Sequence, residues 1–158
     1  MTGRDEPRVF TSAKIRSLLG DSETLRGVGY ETGDFVPLVS FGIMRNRVES
    51  TTSTTYTDVN QIRQKVVWDD IYPGNSTSQA ALYCNVLNSP GDIRLRNSTD
   101  SETILEKENV QGDVAVGPTD YRPTTSDSII IIELEWRTNN GGNATEIHGP
   151  CPYLGVQI

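Results

Sequence analysis

Apolar and polar residues alternate most regularly between Ile129 and Arg137. Successive side chains of an extended chain point to opposite faces. One face would therefore carry the apolar residues Ile130, Ile132, Leu134 and Trp136, and the other would carry Glu133, Glu135 and Arg137. An Asn/Gly-rich stretch at 139–143 tolerates the positive φ of a tight turn, and alternation resumes through Leu154, Val156 and Ile158. The pattern predicts a half-buried strand and, with its return, a long C-terminal hairpin.

Similar strand patterns, separated by turn residues, recur along the rest of the chain. They cover Phe35–Val48, Gln61–Tyr72, Ser78–Asn88, Asp92–Arg96 and Thr103–Val110, with a shorter one around Val28 and Tyr30. We expect a turn at Ser89–Asp92, a hairpin turn at Asn97–Asp100 and a long polar connection from Gln111 to Ser128. The Thr/Ser-rich stretch from Glu49 to Asp58 fits either a loop or an exposed strand.

One helix is predicted, from Thr11 to Gly20. Thr11 or Ser12 can cap its start, Gly20 can end it, and Ile15, Leu18 and Leu19 fall on one face. So short a helix is unstable alone in water, so it must dock, either on its own sheet or on a neighbouring subunit as an assembly helix. Residues 1–10 before it are mostly polar and charged, which predicts a flexible N-terminal arm.

Many strands without an alternating strand–helix rhythm indicate an all-β fold. We predict an antiparallel β-sandwich of jelly-roll type with about eight strands and one short N-terminal helix. At 158 residues the chain suits one domain, which we place at 11–158.

The formal net charge of −7 argues against a nucleic-acid partner, because such a surface repels phosphate. The chain has no run of about 18 apolar residues and no basic-then-apolar leader, so we expect neither membrane insertion nor a secretory signal. Lysine occurs only at Lys14, Lys65 and Lys107. An acidic, lysine-poor surface is typical of proteins from salt-loving organisms, although an ordinary acidic surface is the alternative.

No set of residues in the sequence has the spacing of a catalytic, metal or cofactor site, so we predict a non-enzymatic protein without a cofactor. His148 is the only histidine and is interpreted as structural or exposed. Glu133 and Glu135 share a strand face, as a glycosidase or calcium site would require, but solvated charge balanced by basic neighbours is the commoner meaning. Asp69 with Asp70 and Glu106 with Glu108 are the other acid pairs.

Two further kinds of residue leave alternatives open. Cys84 and Cys151, the only cysteines, form either one inter-strand disulfide or two buried thiols. Three Asn-X-Ser/Thr sequons, at Asn75, Asn97 and Asn143, fall in predicted turns and are candidate N-glycosylation sites.

The C-terminal pattern SIIIIELEWRTNNGGNATEIHGPCPYLGVQI resembles the closing hairpin of small β-sandwich proteins found on virions. With the polar N-terminus and the acidic composition, the chain resembles a structural protein of a tailed virus, one infecting a halophilic archaeon. The resemblance implies a capsid decoration, turret or tail component of the extracellular particle. Such a protein binds other copies of itself and other virion proteins.

The alternative is a carbohydrate- or receptor-binding module of the same fold, with surface glycans as partners. Such a module needs exposed aromatic side chains. The candidate aromatic residues are Trp68 and Trp136, which we expect in the core, and the tyrosines Tyr30, Tyr56, Tyr72 and Tyr121.

Overall fold

The computed structural model describes residues 31–40, 48–71 and 77–157. They form β1 (Phe35–Ser40), β2 (Val48–Thr51), β3 (Thr57–Val67), the helical turn α1 (Trp68–Ile71), β4 (Thr77–Asn97), β5 (Glu102–Asp120), β6 (Ile129–Thr138) and β7 (Thr145–Gln157). All seven strands belong to one antiparallel, curled sheet. The prediction of an antiparallel all-β fold is confirmed. In the described part of the chain, no helix is long and apolar enough to cross a membrane.

Several predictions concern residues outside these ranges. They are the N-terminal arm, the helix at 11–20 with Ile15, Leu18 and Leu19, the short strand near Tyr30, and the sequon at Asn75.

Strand β4 is the centre of the sheet, and two sets of strands pair with it. Strand β5 pairs with one edge of β4 along most of its length. The other edge pairs with β7 from Thr77 to Leu87 and with β6 from Gly91 to Asn97. Strands β1 and β2 flank β7, and β3 flanks β6. The sheet therefore has a β7 half and a β6 half, joined through β4 and β5.

The prediction of a C-terminal hairpin is wrong, because β6 and β7 do not pair with each other as a hairpin. Both β6 and β7 run antiparallel to β4, so they run in the same direction and follow one another along its edge. The Asn/Gly-rich stretch does turn, since the Asn143 amide donates to the Asn140 carbonyl at 2.9 Å. It turns only enough to carry the chain from one half of the sheet to the other. Pairing both strands with β4 satisfies backbone groups along a 21-residue strand that a hairpin would leave open.

Two predicted loops are strand instead. The Ser89–Asp92 turn is a bend inside β4, where Asn88 has a φ of 68° and the β5 pairing shifts register between Val86 and Gly91. The predicted connection from Gln111 is strand as far as Asp120. Glycines and prolines in these stretches bend the strands without ending them, because β4 and β5 support one another across the bend. The predicted hairpin turn at 97–100 is confirmed, and Asn97 pairs with Glu102.

Alternating apolar side chains from both halves form one core. The largest fully buried side chains include Trp68, Ile62, Leu82, Ile93, Leu95, Ile130, Ile132, Leu134, Ile147 and Leu154. Trp136 is 2% exposed and Trp68 is completely buried, as predicted for core residues. Trp68 reaches the core from α1, because β3 ends one residue earlier, at Val67.

Candidate functional site

The outer face of the β6 half carries a network of ion pairs. Glu133 and Glu135 lie on this face of β6 and are only 9% and 7% exposed. The Arg63 guanidinium lies 3.1 Å from Glu133. Arg94 forms a close ion pair with Glu135, and Arg96 lies 3.6 Å from the same carboxylate. We call these five residues the arginine ladder.

The Asp58 carboxylate lies beside the ladder. One oxygen each from Asp58, Glu133 and Glu135 fall within 4.8 Å of one another, as in a cation site. The guanidinium groups of the ladder already neutralise the two buried carboxylates, so this geometry fits a structural network. The predicted basic neighbours are confirmed, whereas the expectation that these acids are solvated is wrong.

Tyr56 covers the neighbouring part of the same face. Two guanidinium groups lie over its ring, with Arg94 3.9 Å and Arg137 4.5 Å from the ring centre. Its hydroxyl donates to Glu106 at 2.5 Å. Burial, and then this hydrogen bond to a carboxylate, raise the pKa of Tyr56. Arg137 in turn donates to Asp92 at 2.7 Å, which raises the pKa of Arg137. Tyr56 is thus held in a polar network by two cations and a carboxylate.

The outer face of the β7 half carries a shallow groove of about 440 Å³. A row of three side chains crosses its floor on three paired strands: Asp113 of β5, Asn85 of β4 and His148 of β7. The Asn85 amide donates to Asp113 at 2.8 Å, and His148 Nε2 lies 3.1 Å from Glu146. His148 is half-buried beside the irregularity where β7 shifts register on β4, consistent with a structural or surface histidine.

Exposed apolar side chains surround this groove. Val48 is 52% exposed, Tyr83 44% and Leu87 39%. Tyr83 and Leu87 flank Asn85 at two-residue spacing, and Val48 pairs with His148, so all three project from the same face. The Tyr153 ring meets the Tyr83 ring edge to face at 5.5 Å. We call Val48, Tyr83, Leu87 and Tyr153 the tyrosine face.

The two cysteines project to opposite sides of the sheet, and both are free thiols. Cys151 pairs with Tyr83, so it lies on the tyrosine face, whereas Cys84 is the next residue of β4 and points into the core. Burial raises the pKa of the Cys84 thiol to about 12. In this register a disulfide between them is geometrically unfavourable.

Two sequons lie within the described ranges, in different environments. Asn97 is fully buried, and its amide nitrogen donates to Asp100 at 2.8 Å and to the Tyr121 hydroxyl at 3.1 Å. The Thr125 amide donates to Asp100, which lowers the pKa of that carboxyl. Asn143 is exposed in the turn between β6 and β7. An acceptor nitrogen must be accessible, so Asn143 suits glycosylation and Asn97 does not.

Sequence reasoning missed the groove and the tyrosine face. The aromatic residues considered were elsewhere: Trp68 and Trp136 are buried, Tyr121 packs edge to face on Trp68, and Tyr30 and Tyr72 lie outside the described residues. The alternation of Tyr83, Asn85 and Leu87 could have placed them on one face. Only the pairing of β4 with β5 and β7 brings Asp113 and His148 beside them.

Comparison with known proteins adds no relative. No family model matches the chain, and no curated protein or solved structure is significantly similar to it.

Proposed function

We propose that this chain is a non-enzymatic structural protein of a virion: a capsid decoration, turret or tail component that binds other copies of itself and other virion proteins. The proposal includes a jelly-roll arrangement of the curled sheet, a halophilic host, and no role for nucleic acid or membrane insertion. The viral setting rests on the acidic, lysine-poor composition and on the C-terminal sequence resemblance. The hairpin in that resemblance does not form, so the resemblance rests on the apolar strand and the Gly/Asn turn that follows it.

The proposed assembly function rests on the edge strand β3. Within the described ranges, β3 pairs only with β6, and no described strand pairs with its other edge. Ile129 pairs with Val67 beside this edge and, at 62%, is the most exposed large hydrophobic side chain of the described ranges. A free strand edge beside an exposed isoleucine favours contact with another subunit.

The arginine ladder supports a structural role for the acidic residues. Glu133 and Glu135 are engaged by guanidinium groups, and Asp69 pairs with Arg122 at 2.7 Å. A carboxylate held by arginine is poorly placed to transfer protons in a glycosidase. We therefore retain the non-enzymatic interpretation as part of the proposal.

The test measures the mass in solution by light scattering, at low and at molar salt. We expect a discrete oligomer that Ile129→Asp dissociates, because burying one isoleucine contributes about 1.5–3 kcal/mol per contact. Val48→Asp is the matched control, since Val48 is similarly exposed but lies on the other half of the sheet. Circular dichroism checks that both variants fold. A strict monomer at both salt concentrations, or an oligomer that survives Ile129→Asp, would overturn the β3 contact.

A second candidate function, a carbohydrate- or receptor-binding module, is favoured by the groove beside Tyr83. An aromatic ring can pack on the C–H face of a sugar, and the Asp113 carboxylate can accept hydrogen bonds from hydroxyl groups. This candidate requires that the monomer binds an oligosaccharide and that Tyr83→Ala abolishes the binding. The assembly proposal requires neither.

A further inference from the structure

The tyrosine face combines exposed apolar groups with carboxylates. Asp113 accepts a hydrogen bond from the Asn85 amide, and Glu146 lies beside His148. Among the described residues, neither carboxylate forms an ion pair with lysine or arginine. Val48, Tyr83 and Leu87 expose their apolar surface around these carboxylates. Such a surface fits a partner that is both apolar and cationic.

Residues 8–20, which lie outside the described residues, have that chemistry. Residues 8–20 contain Arg8, Lys14 and Arg16 and no acidic residue, although the whole chain carries a formal charge of −7. The same residues include the apolar side chains Ile15, Leu18 and Leu19. We propose that residues 8–20 bind the tyrosine face of the same chain, with Leu18 and Leu19 against Tyr83 and Leu87 and the cations near Asp113 and Glu146. The inference rests on this face and is independent of the β3 contact.

The connecting chain is long enough for this contact. Phe35 pairs with Gln157 and Val48 with His148, so the far end of the face lies nine residues along β7 from the start of β1. Nine residues of strand cover about 30 Å. Residues 21–34 can span up to about 46 Å when extended. Because a short tether gives an effective concentration of the order of millimolar, the chain's own segment outcompetes that of another molecule in dilute solution.

Cys151 provides a direct test, because it lies on this face opposite Tyr83. In a Leu18→Cys variant of the full chain, mild oxidation should form a disulfide between residues 18 and 151 within one molecule. Non-reducing electrophoresis then gives a monomer band, and peptide mapping identifies the bond. Leu18→Cys combined with Cys151→Ser is the control, since the remaining native thiol, Cys84, is buried on the other side of the sheet.

A second measurement does not depend on the new cysteine. The alkylation rate of Cys151 should rise about tenfold in the Leu18→Asp variant. This is the increase expected if residues 8–20 are bound to the face about ten times more often than they are free, and if the substitution releases them. Leu25→Asp makes the same chemical change outside residues 8–20 and should leave the rate unchanged. Cys84 should react slowly in all variants, which verifies that the sheet is folded.

Three results would overturn the proposal. A disulfide between two molecules would assign the face to a neighbour's segment. Equal alkylation rates in the native and Leu18→Asp proteins, without a cross-link, would mean that residues 8–20 do not cover the face. If Cys151 were alkylated as fast in Leu25→Asp as in Leu18→Asp, the effect would not be specific to residues 8–20.

Discussion

Individual residues of the arginine ladder explain how an outer strand face can hold buried charge. The side chain of Glu135 is only 10% exposed, and those of Arg94 and Arg96 are 21% and 32% exposed. Charge-assisted hydrogen bonds offset the desolvation of such groups only while every partner is present. The arginine ladder therefore stabilises the fold only while all five of its residues are present.

Glu135→Gln should lower the free energy of unfolding by about 2 kcal/mol, because it leaves two partly buried guanidinium groups without their carboxylate. Urea denaturation at pH 7 measures the change. Glu108→Gln is the matched control: its side chain is 70% exposed and lies 3.9 Å from Arg137, so we expect a change below about 0.5 kcal/mol. Equal effects of the two substitutions would contradict the assigned role of the ladder.

At the scale of elements, the bend in β4 decides the architecture. Around Gly91 the strand changes partner from β7 to β6. The bend is held by Thr145, whose hydroxyl donates to the Pro90 carbonyl at 3.2 Å and lies 2.9 Å from the Thr138 hydroxyl. A Cβ atom at Gly91 would lie 2.6 Å from the Arg137 carbonyl oxygen and 2.9 Å from Thr145 Cγ2. Only glycine allows β4 and β6 to approach this closely.

Gly91→Ala should therefore destabilise the protein by about 2 kcal/mol or more, since backbone has to move to admit one methyl group. Thermal unfolding followed by circular dichroism measures the loss. Gly142→Ala serves for comparison, because its Cβ would only touch Asn140 Oδ1 at 3.4 Å, an ordinary contact. If Gly91→Ala were as stable as Gly142→Ala, close packing at the bend would not be required.

For the molecule as a whole, acidic residues outnumber basic ones by seven, and the pI is about 4.7. The arginine ladder uses several cations to balance carboxylates on the β6 half. The net negative charge of the remaining surface opposes the compact state at low ionic strength.

Raising NaCl from 0.1 to 1 M at pH 7 should therefore increase the melting temperature. Screening contracts the Debye length from about 10 to 3 Å. A gain of about 1 kcal/mol corresponds to a shift of about 2–4 °C for a domain of this size. The same titration near pH 4.7 is the control, since the net charge there is close to zero. A melting temperature independent of salt at pH 7 would argue against charge repulsion and against the halophilic interpretation.

Sequence patterns predicted features that depend on neighbouring residues along the chain. The alternation in β6 placed Trp136 in the core and Glu133 and Glu135 together on the other face, and the turn residues at 97–100 gave the correct hairpin. The bend at Ser89–Asp92 was mistaken for a turn between strands, because proline and glycine mark both. The continuation of β5 to Asp120 was missed because Gly112, Gly117 and Pro118 interrupt its apolar alternation.

The sequence alone determined the all-β class, the core positions of β6 and the excess of negative charge, because side-chain alternation and composition are local properties. Only the tertiary structure decided that β6 and β7 share one edge of β4, that Glu135 is buried by arginines, and that Asp113, Asn85 and His148 form one row. These features depend on strand register. Register is fixed by pairing between residues far apart in the chain, and no local pattern specifies it.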